Sequence, residues 1–500
     1  MNDAPNIHWT ALAVFIFFFL LVTIMGFWAS RWQTGGRKKE AHLDEWGLGG
    51  RSFGTWITWF LVGGDFYTAY TVIAVPALVY AVGAYGFFAL PYTVLVYPIV
   101  FLIMPKLWHA ASKSGHVTAA DVVYGRYGSR TLELAVAITG VVATMPYIAL
   151  QLVGMEVVIK ALGLTGELPL AAAFIILALY TYSAGLRAPA LIAFVKDLMI
   201  YIVVLVAVVL VPTKLGGYGT VFLAAGDAFK AKGGATGLTL KPAQMLPYAS
   251  LALGSALAAF MYPHTLTGIF AARSANTIRK NAVFLPAYTV LLGLIALLGY
   301  MAHAANLSIK SNNDVVPALF NALFPPWFSG FAFAAIAIGA LVPAAVMSIG
   351  AANLFTRNLW KAYVNPAVTP AGEAKVAKLV SLVIKVGALV FILFVPTQFA
   401  LDLQLLGGIW ILQTLPAVVF GLFFGWFSAP ALIAGWVVGL LGGSWLAFSD
   451  GIKPVHTFLI HGSGYTLYTG LTALALNILV AMLMQFVLEL SPKKRIIRME

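Results

Sequence analysis

The sequence of 500 residues contains no cysteine and few charged residues. The absence of cysteine excludes structural disulfides and thiol chemistry, although it does not identify a compartment. Charged residues make up only 9% of the chain, whereas 61% of its residues are hydrophobic and the mean hydropathy is +0.93. Soluble globular domains carry far more charge than this. The composition therefore predicts a polytopic helical membrane protein.

Motifs of soluble enzymes are missing as well. The loop glycines do not form a phosphate-binding loop followed by Lys-Ser/Thr, and the isolated His and Asp residues lack the spacing of metal ligands. Nothing in the sequence resembles a catalytic triad, so we expect no enzyme activity, no resident cofactor and no metal centre. The net charge of +13 would indicate nucleic acid in a soluble chain. In a membrane protein it reflects orientation instead, and we expect no nucleic-acid partner.

Apolar runs of about 20 residues recur along the chain and predict thirteen membrane-spanning helices. The first run is long and ends at Arg31, so we expect a spanning helix rather than a cleavable leader. With the N-terminus outside, 21 of the 30 Lys and Arg residues fall in cytoplasmic loops and 7 in external loops. This asymmetry predicts an external N-terminus and a cytoplasmic C-terminus in an inner or plasma membrane. The predicted spans are 8–30, 54–81, 84–111, 131–161, 167–185, 188–213, 246–271, 281–304, 327–354, 377–397, 400–425, 428–448 and 465–488.

Two of the predicted spans are interrupted near their middle. The first contains Gly63-Gly64 followed by Asp65, and both paired glycines and a carboxylate are unfavourable inside a membrane helix. The second contains Pro263, which removes a backbone donor, so the helix is expected to kink or open there. A simple proline kink would explain the second span alone. Two interruptions five spans apart instead predict an inverted five-plus-five repeat with a site at its centre.

Polar side chains surround both interruptions. Opened half-helix ends attract an anionic group, and hydroxyl donors fix its position. The alternative is that these side chains satisfy backbone groups that the interruption sets free. Gln151, Trp410 and Gln413 lie at mid-membrane depth and either line the same cavity or form interhelical hydrogen bonds. The predicted substrate-binding residues are Tyr67, Thr68, Tyr70, Gln151, Tyr262, His264, Trp410 and Gln413.

Three charged residues are candidates for coupling transport to an ion. Asp65 either carries the coupling proton, as intramembrane carboxyl groups do in proton relays, or caps the half-helix that starts after Gly64. Lys196 either takes part in coupling or extends to the lipid headgroups. Asp197, its neighbour in sequence, is an alternative partner for it.

Four short motifs occur in a fixed order: Leu48-Gly49-Gly50-Arg51-Ser52, Gly185-Leu186-Arg187-Ala188, Phe260-Met261-Tyr262-Pro263-His264 with Ala271-Ala272-Arg273-Ser274, and Gln413-Thr414-Leu415-Pro416-Ala417. In this order and spacing they resemble the solute:sodium symporter family over about residues 48–426. The resemblance implies an all-α, LeuT-like fold with a 5+5 inverted-repeat core, one helix before it and two after it. It implies one transmembrane domain, 1–490, and a basic cytoplasmic tail, 491–500; the domain consists of a leading helix (8–30), a first repeat (54–213), a second repeat (246–425) and two peripheral helices (428–488).

The chain departs from the sodium-dependent members of that family at the ion site. Their hydroxyl pair on the eighth core helix falls on Val342 and Pro343, and a fifth-helix carboxylate falls on Ala193, one turn before Lys196 and Asp197. These stretches resemble the MctP-type monocarboxylate permease branch. The resemblance implies a symporter that imports lactate-like or pyruvate-like acids, or alanine, with H⁺ rather than Na⁺ as the coupling ion and with Lys196 in the place of sodium.

Two other functions stay open. A sodium-coupled symporter of another solute, such as an amino acid, acetate or a sugar, would need a sodium site built from other residues. A membrane sensor with a transporter-like domain would need a cytoplasmic signalling module, which we do not expect after Leu490. The expected partners are a small carboxylate, a coupling ion and the bilayer; the preferred acid, the stoichiometry, the oligomeric state and accessory subunits are not predicted.

Overall fold

The structure, a computed structural model, describes residues 7–31, 43–64, 67–165, 168–394 and 400–490. In this part of the chain the regular structure is almost entirely helical. Nine of its helices are long and apolar enough to cross a membrane, and a tenth span results if one bent pair of helices is counted as a unit. The predicted multi-pass helical architecture thus agrees with the structure, whereas the count of thirteen spans stays a prediction.

The first half of the chain forms helices α1 to α9, whose apolar faces pack against one another. Polar residues fix several of their ends: the Thr118 hydroxyl accepts from the Asp121 amide at the start of α6, as in a capping box. Short 3₁₀-helices lie at Ala29–Arg31, Gly49–Arg51 and Ala84–Phe88, and short π-helices lie at Trp59–Gly63 and Tyr70–Ala74. The helices are α1 (Trp9–Trp28), α2 (Leu43–Leu48), α3 (Thr55–Thr58), α4 (Val75–Val82), α5 (Ala89–Ser114), α6 (Ala119–Tyr127), α7 (Arg130–Ala161), α8 (Leu168–Ala184) and α9 (Arg187–Lys214).

The second half contains helices α10 to α21, several of which begin with proline, which is favoured in the first turn of a helix. Further 3₁₀-helices lie at Asn312–Asp314 and Leu412–Thr414, and π-helices lie at Phe355–Val364 and Pro416–Phe420. The helices are α10 (Tyr218–Ala231), α11 (Pro242–Ala259), α12 (Pro263–Ala271), α13 (Ala275–Phe284), α14 (Pro286–Ala304), α15 (Val315–Leu323), α16 (Pro326–Leu354), α17 (Pro370–Phe394), α18 (Ala400–Ile411), α19 (Gly421–Phe423), α20 (Ala429–Ser449) and α21 (Thr469–Leu490).

An unpredicted β-hairpin joins the last two helices. Strands β1 (Val455–Ile460) and β2 (Ser463–Tyr468) pair in antiparallel register. His461 and Gly462 form the two-residue turn with φ of 49° and 78°. Positive φ at both turn residues suits the right-handed twist of a two-residue hairpin. The hairpin is a small exception to the predicted all-α fold.

Helix α16 lies at the centre of the molecule, and every residue in its most apolar stretch is buried. It packs against α1, α7, α9, α12 and α17. A helix that is apolar on all sides is buried on all sides. The two interrupted helices lie beside this central helix and carry the candidate site.

Both predicted interruptions are present in the described helices. In the first, the helical residues after α3 end near Gly64 and resume at Tyr70, with Asp65 lying outside the described residues. In the second, α11 and α12 meet at an angle of 47° before Pro263. At one end of the molecule the two interrupted helices are joined by backbone: Phe53 N donates to Ala271 O at 3.2 Å, and Arg273 N donates to Phe53 O at 3.0 Å.

The long connection Lys214–Met245 is not an extended linker. It contains α10, and its Gly237 carbonyl accepts a hydrogen bond from Ala84 N at 2.8 Å, next to the end of α4. The second long connection, Ala305–Pro326, contains α15. The first connection therefore contacts the end of the first interrupted helix.

Candidate functional site

Lys196 lies at the first interruption rather than at the protein surface. Its side chain is 0% exposed. The Nζ donates to Gly64 O at 2.5 Å and to Tyr67 O at 3.1 Å, on the two sides of the interruption. Gly64 O also accepts a hydrogen bond from Tyr67 N at 3.0 Å, so the ammonium group is a second donor to this carbonyl. The ammonium group thus contacts backbone oxygens on both sides of the interruption.

Asp197 holds the same ammonium group from the side of α9. Its Oδ1 lies 2.9 Å from Lys196 Nζ, and its Oδ2 accepts from Tyr288 OH at 2.8 Å. Tyr288 OH also lies 3.3 Å from Trp59 O, on the first interrupted helix. A fully buried charge is tolerated only when it is paired and hydrogen-bonded in this way. The two charges and the two carbonyls therefore form one compact unit between α9, α14 and the interruption.

Gln151 and Thr68 satisfy backbone groups near the first interruption. Gln151 Oε1 accepts from Ala69 N at 3.1 Å, and Thr68 Oγ1 accepts from Tyr70 N at 3.0 Å. Both contacts match the alternative to substrate binding, in which these side chains satisfy backbone groups that the interruption sets free. The Tyr70 hydroxyl, by contrast, is buried without a hydrogen-bond partner among the described residues.

The second interruption is surrounded by aromatic rings. Tyr262 OH donates to Gln404 O on α18 at 2.9 Å. The Tyr147 ring on α7 lies 5.2 Å from the Tyr262 ring and 5.3 Å from His264, measured between centroids. Tyr262 and His264 are both buried. The N-terminal end of α12, which starts at Pro263, therefore opens into an aromatic environment.

A cavity of about 20 Å³ lies between the two interrupted helices, which is room for about one water molecule. A solute of several heavy atoms does not fit into this volume. Binding of such a solute therefore requires the surrounding helices to separate. The walls consist of Val62, Tyr92, Val96, Val100, Tyr147, Ala259, Tyr262, His264, Thr265, Leu285 and Gln404.

The positions at which the resemblance implied a degenerate sodium site are buried and carry no side-chain oxygen. Val342 and Pro343 lie in the buried centre of α16, and Ala193 lies in α9, one turn before Lys196. Gly339, one turn before Val342, faces the Tyr67 carbonyl, since a Cβ atom there would lie 3.6 Å from that oxygen. This face of α16 adds no oxygen ligand to the carbonyls that Lys196 contacts.

Two predicted substrate-binding residues lie toward the C-terminal helices. Trp410 Nε1 donates to Ser444 Oγ on α20 at 3.1 Å. Gln413 Oε1 accepts from Asn477 Nδ2 on α21 at 3.1 Å. Both contacts are interhelical hydrogen bonds, which was the alternative to lining the cavity. The structure does not bring these two side chains to the walls of the cavity.

Several residues of the site escaped the sequence analysis. Tyr92, Tyr147, Tyr288 and Gln404 contact the interruptions or line the cavity, but no motif in the sequence singles them out. Tyrosine in mid-membrane segments is a usable signal, because its buried hydroxyl usually finds a polar partner. No group of three or more His, Asp or Glu side chains suited to a metal ion occurs in the described ranges.

Comparison with known proteins finds matches along most of the chain. A family model described as the sodium:solute symporter family matches residues 46–439. A monocarboxylate transport permease protein of Rhizobium johnstonii is 73% identical over 97% of this chain and 98% of its own length. The uncharacterized symporter YodF of Bacillus subtilis is 33% identical over 95% of this chain and 93% of its own.

The fold is similar to that of a solved structure, the substrate-bound, outward-open state of a Na⁺-coupled sialic acid symporter. The TM-score is 0.76, and the match covers 96% of this chain and 98% of the other, at 15% sequence identity. Similarity at this level of identity concerns the fold alone. It confirms the predicted inverted-repeat helical fold without fixing the number of spans.

Proposed function

The chain belongs to the sodium:solute symporter family, and on that premise we propose that it imports a small monocarboxylate together with protons. Its relatives are transporters rather than enzymes, and it is a multi-pass membrane symporter. Lactate and pyruvate are the proposed substrates, with alanine as a further candidate. The observation that carries the ion assignment is the Lys196 ammonium group on the carbonyls of Gly64 and Tyr67.

The contacts of Lys196 argue against sodium at this position. Unwound backbone carbonyls bind the coupling ion in transporters of this architecture. An ammonium group and a sodium ion cannot occupy the same pair of carbonyls, and Lys196 lies 2.5 Å from one of them. Val342 and Pro343, on the neighbouring face of α16, supply no further side-chain oxygen. Proton coupling needs no such cage of oxygen ligands.

The surroundings of the second interruption suit a carboxylate. The N-terminal end of α12 carries the positive end of the helix dipole, which attracts an anion. The buried Tyr70 hydroxyl adds a donor from the first interrupted helix, and His264 and Tyr262 line the cavity. The name of the 73% identical relative, a monocarboxylate transport permease, supports the same substrate class.

The proposed cycle uses Asp65 and Lys196 to neutralise the loaded transporter. An outward-facing cavity admits the anion between the interrupted helices. Asp65 takes up an external proton, and Lys196 exchanges one of its partners, so that the loaded state becomes nearly neutral. A charge at the centre of a bilayer costs about 2.5–3.5 kcal/mol on insertion scales, so neutralisation favours reorientation. The proton then leaves to the cytoplasm, and the substrate follows.

The proposal includes the orientation and the division of the chain. The N-terminus lies outside and the C-terminus in the cytoplasm of an inner or plasma membrane, as the Lys and Arg distribution favours. Residues 54–213 and 246–425 form the two repeats, preceded by the helix at 8–30 and followed by peripheral helices at 428–488.

Uptake of labelled lactate into proteoliposomes tests the proposal. An inward proton gradient and an inward sodium gradient are applied separately to the purified protein, with protein-free liposomes as the blank. We expect accumulation with the proton gradient alone and none with the sodium gradient alone. Accumulation that requires sodium would overturn the ion assignment and favour the sodium-coupled alternative. A lack of uptake of lactate, pyruvate and alanine under both gradients would overturn the substrate class.

A further inference from the structure

The last residue of the β-hairpin enters the interior of the transporter. Tyr468 ends strand β2 and precedes α21, in the part of the chain that follows the ten-helix core. Its side chain is nevertheless 0% exposed. Its amide donates to Ser250 Oγ on α11 at 2.9 Å, and its hydroxyl donates to Leu405 O on α18 at 2.7 Å. The residue thus ties the hairpin to two core helices.

A slot of glycines receives the Tyr468 side chain. Gly254 on α11, Gly408 on α18 and Gly470 on α21 face it from three directions. A Cβ atom added at any one of them would lie under 3.0 Å from the ring or its hydroxyl. Three helices thus leave room for one ring. A surface hairpin that only connects two helices does not need such a slot.

The hydroxyl of Tyr468 binds the same turn of α18 as a residue of the candidate site. Tyr262 OH donates to Gln404 O, and Tyr468 OH donates to Leu405 O, the next carbonyl along the chain. The two hydroxyls bind adjacent peptide groups of α18. A movement of this turn that changes one of the two contacts therefore also changes the other.

We propose that Tyr468 is a positioning residue of the substrate site, holding the Gln404–Leu405 turn in the place where it anchors Tyr262. The inference rests on the proposed function insofar as the site is taken to bind the monocarboxylate. It assigns the peripheral hairpin a direct part in shaping the cavity. Tyr468 does not itself line the cavity, so its effect passes through Tyr262.

The experiment compares Tyr468→Phe, Tyr262→Phe and the double variant. The loss of one neutral hydrogen bond corresponds to a change in affinity of about 2- to 13-fold. We expect each single variant to raise the KM of lactate uptake within this range while Vmax stays within about twofold. If the two hydroxyls act through one turn, the effects of the single variants will not multiply in the double variant. Tyr465→Phe is the matched control, because Tyr465 lies on the same strand with an exposed side chain.

A second readout does not depend on the substrate. The natural chain has no cysteine, so Thr265→Cys places a single thiol at the cavity wall. We expect Tyr468→Phe to raise the rate of maleimide labelling at this thiol by about the same 2- to 13-fold, and Tyr465→Phe to leave it unchanged. Labelling that does not change in Tyr468→Phe overturns the inference even if lactate is not the substrate.

The outcomes separate the inference from the proposed function. If the unmutated protein does not take up lactate, the function fails, while the labelling experiment still decides the role of Tyr468. If the KM effects of Tyr468→Phe and Tyr262→Phe multiply, the residues act independently and the inference is wrong. If Tyr468→Phe lowers Vmax and melting temperature together without changing KM, Tyr468 only stabilises the fold, which also overturns the inference.

Discussion

Replacement of Lys196 by methionine tests the coupling mechanism at the residue on which it most depends. Methionine keeps a long side chain but removes the ammonium group, with its bonds to Gly64 O and Tyr67 O at 2.5 and 3.1 Å. It also leaves buried Asp197 without its counter-ion. Breaking a buried pair in this way costs about 3–5 kcal/mol of stability. We therefore expect a lower melting temperature in detergent. Adding Asp197→Asn to the same chain should restore most of the lost stability, because it removes the uncompensated charge.

The functional result is measured with the restored double variant, Lys196→Met with Asp197→Asn. One pH unit corresponds to 1.36 kcal/mol, a factor of ten in concentration. A symporter that moves one proton with each substrate therefore reaches about 100-fold accumulation under an inward gradient of about 2 pH units. We expect the unmutated protein to approach this value in proteoliposomes. In the double variant, the ratio of internal to external lactate should stay at about 1. This variant should still exchange labelled for unlabelled lactate, since exchange needs no net proton movement.

A matched control is available in Lys385, which is a buried lysine like Lys196. Lys385 is 2% exposed on α17, and its described hydrogen bond goes to Ser381 O in its own helix at 3.4 Å. Lys385→Met should keep proton-driven accumulation, because Lys385 is not part of the unit around the first interruption. Full accumulation by the Lys196→Met, Asp197→Asn variant would refute the assigned role of Lys196. Equal loss in Lys385→Met would show that the effect is not specific to this position.

Three further changes test other parts of the proposal. Asp65→Asn should abolish pH-driven accumulation but spare exchange, because the side chain can no longer carry a proton; unaltered accumulation in the uptake assay would remove it from the mechanism. Tyr288→Phe removes the donor to Asp197 Oδ2 at 2.8 Å; we expect a loss of about 1.5–3 kcal/mol, seen as a lower melting temperature, and a reduced accumulation ratio in the same vesicles. Asn358→Ala takes a donor from buried Glu133, 2.8 Å away; it should lower the melting temperature and Vmax but leave the KM for lactate unchanged, and an altered KM would contradict a purely structural role.

The interrupted helices could be predicted from sequence, because glycine and proline act on the backbone locally. Gly63, Gly64 and Pro263 mark the two interruptions that the structure contains. For Lys196 the sequence leaves two alternatives, a place in the coupling site or extension to the lipid headgroups, and the structure places it beside the first interruption. Its partners do not follow from the sequence in the way that the interruptions do. The contact with Asp197 and the two carbonyls depends on how α9 is rotated against the first interrupted helix, which is a property of tertiary packing.

The orientation of polar residues in apolar helices could not be predicted. From the sequence, Trp410 and Gln413 either line the cavity or form interhelical hydrogen bonds, and in the structure they contact Ser444 and Asn477. A helix that is apolar on all sides offers no amphipathic pattern from which to infer the face that meets a given neighbour. The hairpin was missed for a different reason. Its strands are six residues each, shorter than the runs by which spans are recognised, although the intervening His461-Gly462 is a usable turn signal.

The backbone contacts between Phe53 and the segment from Ala271 to Arg273 have a consequence for leakage. They join the ends of the two interrupted helices, one of which holds the ammonium group and the other the aromatic end of the cavity. If one helix reorients without the other, both hydrogen bonds must break, at a net cost of about 1–3 kcal/mol for the two. Movement of one helix alone is therefore disfavoured by a factor of about 5–150. If import is coupled to protons as proposed, movement of one helix alone would let a proton or a substrate cross by itself, and these two peptide hydrogen bonds would limit that leak.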